Sequence, residues 1–326
     1  MKRFTAILLA SLLTTAALSA CGQTGPNEKI SVVCTVFPQY DWVRQILGDK
    51  ADSYDLTLLL DNSIDLHNYQ PSVDDIVKIS ACDLLIYVGG GSDGWVRDAL
   101  NEAANTDMVV IDLLDMLGGA AKFDETIEGI EDGYHGQGAE EDGHVEGGYD
   151  EHVWLSLRNA EAFCGAIADA LSSLDAGNAD AYQSNKIAYI EKLSDLDAEY
   201  RGTVGSAPVR TLLFGDRFPF RYLVDDYGIS YYAAFDGCSA ESEASFATVV
   251  FLAQKMDELR LPCVMVTESS DQSIARTIVR NTVARDYKIC VLDAMQSVSS
   301  SDVRNGTTYL SIMESNLEVL KEALGS

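Results

Sequence analysis

Basic residues and histidines are scarce in this sequence. It holds 23 lysines and arginines against 51 aspartates and glutamates, which gives a formal net charge of −28, and it has four histidines. A field of this sign repels nucleic acid and anionic lipid and raises the local concentration of cations. We therefore expect no nucleic-acid partner. Acidity alone does not indicate metal binding, because many secreted proteins are acidic for solubility.

Two motifs of metal chemistry are missing. No CxxC pair occurs, which disfavours a zinc site built from thiolates. No HExxH occurs either, so the metalloprotease pattern is absent. A zinc ion with an open coordination position can activate water for hydrolysis, which keeps an enzyme as an alternative. The expectation is nevertheless that the protein is not an enzyme.

The first residues have the pattern of a lipoprotein signal. Lys2 and Arg3 precede an apolar run from residue 4 to 18, and Leu18-Ser19-Ala20-Cys21 forms a lipobox. We predict a signal peptide over 1–20, a lipid on Cys21 and a tether over 21–28; the alternative is an ordinary signal peptide with a coincidental cysteine. No later run is long and apolar enough to span a bilayer, so the lipid is expected to be the only anchor to the membrane.

The rest of the chain alternates short β-branched runs with helical spacing. This pattern predicts an α/β fold with two lobes, over 29–157 and 208–326, each with a mostly parallel sheet flanked by helices. A breaker-poor stretch over 158–207 predicts a long, rigid helical connection between them. One apolar stripe on its second half is expected to run through Tyr182, Ile187, Ile190, Leu193, Leu196 and Tyr200. Predicted strands cover 30–36, 53–60, 83–89 and 108–112 in the first lobe, and 209–215, 229–235, 263–268 and 288–294 in the second. Ser72 and Ser92 are the predicted N-caps of helices over 72–81 and 92–104.

Six cysteines remain after Cys21, and no CxxC spacing pairs them. An even count outside the cytoplasm permits disulfides without revealing their connectivity. Cys263 and Cys290 begin two predicted strands, and a buried pair of free thiols and a cross-strand disulfide both remain open. Cys164 has the position of a helix core residue.

A segment rich in Gly, Asp and Glu over 118–151 interrupts the alternation. It contains His135 and His144 and should form a loop. One interpretation is a solvated acidic insertion with two chance histidines. The other is a weak metal-gathering loop close to a tighter site.

The other two histidines follow predicted elements at positions typical of ligand groups. His67 lies in DNSIDLHNYQPS after a predicted strand, and His152 lies in DEHVWLS after the acidic loop. Open α/β sheets bind ligands beyond the carboxyl ends of their strands. Imidazole is a common ligand of zinc, copper, nickel and iron. A single histidine in a loop is more often a surface residue, so these positions alone leave a surface role and a shared metal site both open.

Five segments resemble the zinc and manganese solute-binding lipoproteins of ABC importers, and together they cover nearly the whole mature chain. His-Asn-Tyr-Gln-Pro and Glu-His-Val-Trp-Leu are close to the ligand motifs of that family. The resemblance implies two α/β lobes joined by a long rigid helix, with the metal between the lobes. The segments are TVFPQYDWVRQILGD, LHNYQPSVDDIVKISACDLLIYVGGGSDGWV, DEHVWLSLRNA, YLVDDYGISY and VMVTESSDQSIARTIVRNTVARDYKICVLDA.

Residue by residue, the resemblance implies that His67, His152 and Asp293 are metal ligands. The family's third ligand should follow the strand near 210–215, but Arg217 stands in that column, and a guanidinium has no lone pair for a metal. Asp216 is the predicted replacement. The alternative is that Arg217 pairs with Glu268 or Asp293 and leaves a coordination position to water.

The resemblance also implies a function, which is capture of a transition-metal ion for the permease of an ABC transporter. A mixed site of nitrogen and oxygen ligands suits tetrahedral zinc and would also accept manganese. The His-containing acidic loop resembles the loop of the zinc members, which favours Zn²⁺, with Mn²⁺ or iron as the alternative ion. We expect a monomer that closes on the metal by small lobe movements. An adhesion or structural lipoprotein that has lost its metal site is the other alternative.

Overall fold

The computed structural model describes residues 29–61, 66–123, 148–235, 237 and 244–326. The predicted signal peptide with Cys21, the tether, most of the acidic loop with His135 and His144, and Cys238 lie outside these residues. Among the described residues, no helix combines the length and the apolar composition that a bilayer crossing requires.

The first lobe is built on a four-stranded parallel sheet, as the alternating pattern predicted. Its strands lie in the order β2-β1-β3-β4, and helices α1 to α4 accompany them among the described residues. Residues of β1 pair with both neighbours, for example Val33 with Thr57 and with Leu85. The elements are β1 (Ser31–Cys34), α1 (Phe37–Leu47), β2 (Asp55–Leu58), α2 (Val73–Ala81), β3 (Leu84–Tyr87), α3 (Gly94–Asn101), β4 (Val109–Asp112) and α4 (Leu113–Leu117).

The second lobe repeats this topology. Its parallel strands lie in the order β6-β5-β7-β8, which is the same arrangement of first, second, third and fourth strands. The elements are β5 (Thr211–Phe214), α7 (Arg221–Tyr227), β6 (Ser230–Ala233), α8 (Phe246–Leu259), β7 (Cys263–Thr267), α9 (Ser273–Asn281), β8 (Lys288–Leu292), α10 (Ser300–Arg304) and α11 (Tyr309–Ala323). The predicted two-lobe α/β architecture is confirmed.

Two helices connect the lobes: α5 (Leu157–Leu174) and α6 (Ala179–Ser206). Helix α6 has 28 residues and is therefore roughly 42 Å long at a rise of about 1.5 Å per residue. The predicted long helix is confirmed. The lobe limits at 157 and 207 remain a prediction.

One residue of the apolar stripe expected on α6 points the wrong way. Ile187 is 64% exposed, whereas Tyr189 is buried. Tyr189 follows Tyr182 by seven residues, nearly two full turns, so both side chains lie on almost the same face of the helix. Ile187 follows Tyr182 by five residues, which places it about 140° around the helix from that face. The buried stripe therefore runs through Tyr182, Tyr189, Leu193, Leu196, Tyr200 and Val204.

Aromatic packing joins the two lobes through the connecting helices. The ring of Trp42, on α1, lies 5.7 Å from that of Phe163 on α5 and 5.2 Å from that of Tyr309 on α11. All three side chains are fully buried. Because well-packed aromatic clusters resist rearrangement, the second lobe is held closely against the first.

Two predicted helix caps had different outcomes. The Ser72 hydroxyl accepts the Asp75 N–H and caps α2, as predicted. The prediction that Ser92 caps a helix was wrong, because Asp93 is the N-cap of α3. The Ser92 hydroxyl is instead bonded to a histidine of the candidate site.

The described cysteines Cys34, Cys82, Cys164, Cys263 and Cys290 are buried free thiols. Cys164 is a core residue of α5, as predicted. Cys263 and Cys290 lie on the paired strands β7 and β8, and the structure has them as thiols.

Candidate metal centre

His67 is positioned by the segment that follows β2. It lies in a single turn of 3₁₀ helix, Leu66–Asn68, whose first residue is buried in the core. Its Nδ1 atom lies 2.9 Å from Ser92 Oγ and 3.6 Å from Glu151 Oε2. With Nδ1 occupied in this way, Nε2 is the atom presented to a ligand.

His152 is held still more firmly. It is 2% exposed, and its Nδ1 lies 3.0 Å from Asp150 Oδ1, an oxygen that also accepts the His152 backbone N–H. A carboxylate can only accept, so Nδ1 carries the ring proton and Nε2 keeps its lone pair. A carboxylate that fixes the tautomer of an imidazole is the usual support behind a metal-binding histidine.

The two imidazoles meet at these Nε2 atoms. His67 Nε2 and His152 Nε2 lie 3.4 Å apart, although 85 residues separate them in the chain. Two nitrogens bound to one tetrahedral zinc at about 2.0–2.1 Å each are themselves about 3.3–3.4 Å apart. The pair therefore already has the spacing that a shared tetrahedral ion requires.

Glu151 supports the same corner of the site. Its Oε1 accepts the Ser92 N–H at 2.9 Å. Gly90 has φ +83°, and a Cβ at this position would overlap the Glu151 carboxylate. The glycine is therefore required both for the turn after β3 and for the close approach of Glu151.

The second lobe contributes Gln296, which follows β8. Its Nε2 lies 2.7 Å from His152 Nε2, the distance of a hydrogen bond from the amide to the ring lone pair. Its backbone N–H donates to Glu268 Oε1 at 2.9 Å, and the other Glu268 oxygen accepts the Ala294 N–H. Glu268 thus fixes the turn that carries Gln296.

Asp216 and Arg217 lie elsewhere at the carboxyl edge of the second sheet. Asp216 Oδ2 accepts both the N–H and the hydroxyl of Thr267, at 3.0 and 2.9 Å, and Oδ1 accepts the Arg217 N–H. Both residues line a cavity of about 380 Å³ together with Ser269, Ser270 and Ile274.

Asp293 is bonded within its own turn. Its Oδ1 accepts the Met295 N–H at 2.7 Å. Burial, reinforced by the charge of Glu268, raises the pKa of Asp293 to about 6. The structure thus brings His67 and His152 together, but in the described part of the chain no three or more His, Cys, Asp or Glu side chains are grouped so that they could hold a metal ion.

Comparison with known protein families shows which family has this architecture. The model of a periplasmic family, zinc-uptake complex component A (ZnuA), matches residues 32–323. The chain belongs to the ZnuA family. The match includes both histidines and the whole turn after β8.

Named relatives of this ZnuA-family chain are consistent with that assignment. It is 29% identical to the zinc-binding lipoprotein AdcA of Streptococcus pneumoniae R6 over 320 residues, which are 97% of this chain and 60% of the relative. It is 28% identical to the high-affinity zinc uptake system protein ZnuA of Bacillus subtilis 168, covering 94% of this chain and 93% of that protein. The crystal structure of Zn(II)-bound AdcA from S. pneumoniae superposes with a TM-score of 0.70 at 26% identity, over 92% of this chain and 58% of that one. The chain therefore spans about three-fifths of the length of AdcA.

Sequence reasoning missed Gln296 and Ser92. Ser92 lies in Gly90-Gly91-Ser92-Asp93-Gly94 between β3 and α3, which matches the GxSxG pattern of serine hydrolases. In a hydrolase triad the serine and the carboxylate face opposite nitrogens of the histidine. Here Ser92 and Glu151 both face Nδ1 of His67, and Nε2 faces His152. The serine and the carboxylate therefore do not face opposite nitrogens of this histidine, as they do in a hydrolase triad.

Proposed function

We propose that this ZnuA-family protein captures a transition-metal ion, zinc, as the binding component of an importer. The observation that carries the proposal is the 3.4 Å separation of His67 Nε2 and His152 Nε2, each with its other ring nitrogen bonded from behind. Preorganised imidazoles lose little conformational freedom when a metal binds, which favours high affinity.

We propose His67 and His152 as the two fixed ligands, with further donors from the second lobe. Asp216 and Asp293 are the carboxylates proposed from sequence, and each would have to leave its backbone hydrogen bonds to reach the ion. Gln296 already contacts His152, and rotation of its amide would place Oε1 where Nε2 now faces the ring. The contact with His152 favours Gln296 as the third donor, with water completing the shell.

The chemistry of this donor set favours zinc over manganese. Two imidazole nitrogens and one amide oxygen suit a borderline-soft tetrahedral ion, whereas manganese prefers sites richer in carboxylates and water. Anomalous diffraction from crystals soaked separately in Zn²⁺ and Mn²⁺ would identify the ion that enters and each donor atom. Manganese alone at the histidine pair would overturn the choice of zinc.

The proposed partner is the permease of an ABC transporter, outside the cytoplasm. The family description supports both points, because it names a component of a periplasmic zinc-uptake complex. We further propose that the protein is a monomer, is not an enzyme and is attached to the membrane through a lipid on Cys21. Cys21→Ala should move the protein from the detergent phase to the aqueous phase on partition, and Cys238→Ser should not.

Zinc titration of the mature protein tests the proposed function. We expect one tightly bound zinc per chain, and loss of this tight site in His67→Ala and in His152→Ala. Asn68→Ala, a change at an exposed neighbour of His67, should bind like the wild type. A folded wild-type protein that binds no zinc at about 10 μM would contradict the proposal and favour the adhesion or structural alternative.

A further inference from the structure

A bidentate contact joins the two lobes close to the candidate metal centre. The Ser300 N–H donates to Asp61 Oδ1 at 2.8 Å, and the Ser300 hydroxyl donates to Asp61 Oδ2 at 2.6 Å. Asp61 follows β2 in the first lobe, whereas Ser300 is the first residue of α10 in the second. Hydrogen bonds to a carboxylate are among the stronger ones in proteins, and two from one residue also fix its orientation.

Asp61 lies just ahead of His67 in the same connection after β2. On the second-lobe side, Ser300 ends a short segment, residues 294–300, that we call the clasp. Gln296 of the clasp contacts His152. The clasp therefore touches both histidine-bearing segments, one through Gln296 and the other through Asp61.

The clasp is also anchored by packing and by a third hydrogen bond. Trp154 lies two residues beyond His152, and its indole N–H donates to the Ala294 carbonyl at 2.9 Å. Met295 and Val298 are buried and line a small enclosed seam with Leu66, the neighbour of His67. Lifting the clasp would break these contacts and expose the seam to water. The closed position is therefore stabilised by the hydrogen bonds and by the burial of apolar surface.

We propose that Asp61 and Ser300 are a positioning pair that holds the clasp closed over the two histidines and so sets the rate at which bound metal leaves. The inference rests on the proposed function. The pair acts by keeping Gln296 and the His67 segment in register. Loss of the pair lowers the free-energy cost of clasp opening, and the ion then escapes more often.

Zinc release into an excess of a chromophoric chelator, followed by stopped flow, tests the pair. We expect Asp61→Asn and Ser300→Ala each to bind one zinc and to release it about tenfold faster than the wild type, since each loses a charge-assisted hydrogen bond. The double variant should release zinc no faster than Asp61→Asn, because the charge lost in Asp61→Asn already weakens both hydrogen bonds, including the hydroxyl bond that Ser300→Ala removes.

The chain offers a matched control in Ser31 and Asp83. The Ser31 N–H and hydroxyl both donate to Asp83 Oδ2, at 2.8 and 3.1 Å, but the pair lies at the amino ends of β1 and β3, within the first lobe. Asp83→Asn removes the same chemistry far along the sheet from the clasp. It should lower stability without changing zinc release.

Two results would overturn the inference. One is zinc release from Asp61→Asn at the wild-type rate. The other is unchanged hydrogen exchange of the Tyr69 amide, which bonds to the Leu66 carbonyl, in metal-free Asp61→Asn. A wild-type protein that binds no zinc would instead reject the proposed function, and the metal-free exchange measurement would still test the clasp.

Discussion

Asp150 Oδ1 accepts both the backbone N–H and the ring Nδ1–H of His152, at 2.8 and 3.0 Å. A single oxygen thus sets the rotation and the tautomer of the more buried histidine. The Nε2 lone pair of His152 points at His67 and Gln296 as a consequence.

Replacing Asp150 with alanine should weaken zinc binding about 10- to 100-fold, the usual cost of losing the carboxylate behind a metal-binding histidine. The ring would be free to rotate, and its Nδ1–H would lose a buried acceptor. Competition with a zinc chelator measures the affinity. Asp49→Ala, at a side chain 84% exposed, is the control. An unchanged affinity in a folded Asp150→Ala protein would contradict the support role.

Replacing Gln296 with glutamate should raise the affinity for zinc by about tenfold. A carboxylate keeps the reach of the amide and adds a negative charge next to a divalent ion. Gln272→Glu provides the matched control, because Gln272 Oε1 already accepts from the Arg276 guanidinium. Chelator competition is again the measurement. Equal effects of the two substitutions would mean that Gln296 acts only through general charge.

The acidic loop should add weak zinc binding without forming the tight site. In the double variant His135→Ala/His144→Ala we expect the one tight zinc per chain to persist while weaker equivalents disappear from the titration. Equilibrium dialysis at rising zinc concentration separates the two classes. Weak binding that is identical in both proteins would favour the interpretation of the loop as a solvated insertion.

The buried carboxyl of Asp93 should make the metal-free protein less stable as pH rises. Asp93 is 3% exposed, and its Oδ2 accepts the N–H groups of Val88 and Gly89. Burial raises its pKa to about 7, with smaller contributions from the charges of Glu151 and Asp112. Because the folded state binds the proton more tightly than the unfolded chain, this stabilisation is complete below the unfolded pKa of about 3.9 and lost as pH passes about 7.

Denaturant unfolding at pH 5 and pH 8 checks this sign. The wild-type free energy of unfolding should fall more between these values than that of Asp93→Asn, which has no proton to lose. Asp49→Asn, at an exposed position, should follow the wild type. An equal fall in all three proteins would show that other carboxyls carry the dependence, among them Asp293, whose pKa is also raised.

The strands were predictable because their signal is local. Each predicted run contains an observed strand, and the structure trims residues only at the ends, where the chain turns out of the sheet. The prediction that Ile187 belongs to the buried stripe of α6 was wrong, because its spacing from Tyr182 only approximates a helical repeat. The buried face is the one shared by Tyr182 and Tyr189. Local patterns thus identify elements better than they identify faces.

Gln296 could not have been identified from the order of residues alone. Nothing in its neighbourhood marks it as a partner of His152, and its place depends on Glu268, which fixes the turn after β8 from the end of the neighbouring strand. Asp293, a more obvious candidate, is held within that same turn by the Met295 N–H. The choice between them depends on hydrogen bonds that form only in the folded chain.

The sequence by itself determined the two α/β lobes, the long helix between them and the positions of His67 and His152 after predicted elements. These features depend on hydrophobic periodicity and short motifs, which are local properties of the sequence. The tertiary structure alone decided that these imidazoles meet at 3.4 Å, that Gln296 contacts His152, and that Asp216 and Asp293 accept backbone N–H groups of the second lobe. The physical reason is that side chains far apart in the chain are brought together by packing and hydrogen bonding across the lobes, which no local pattern encodes.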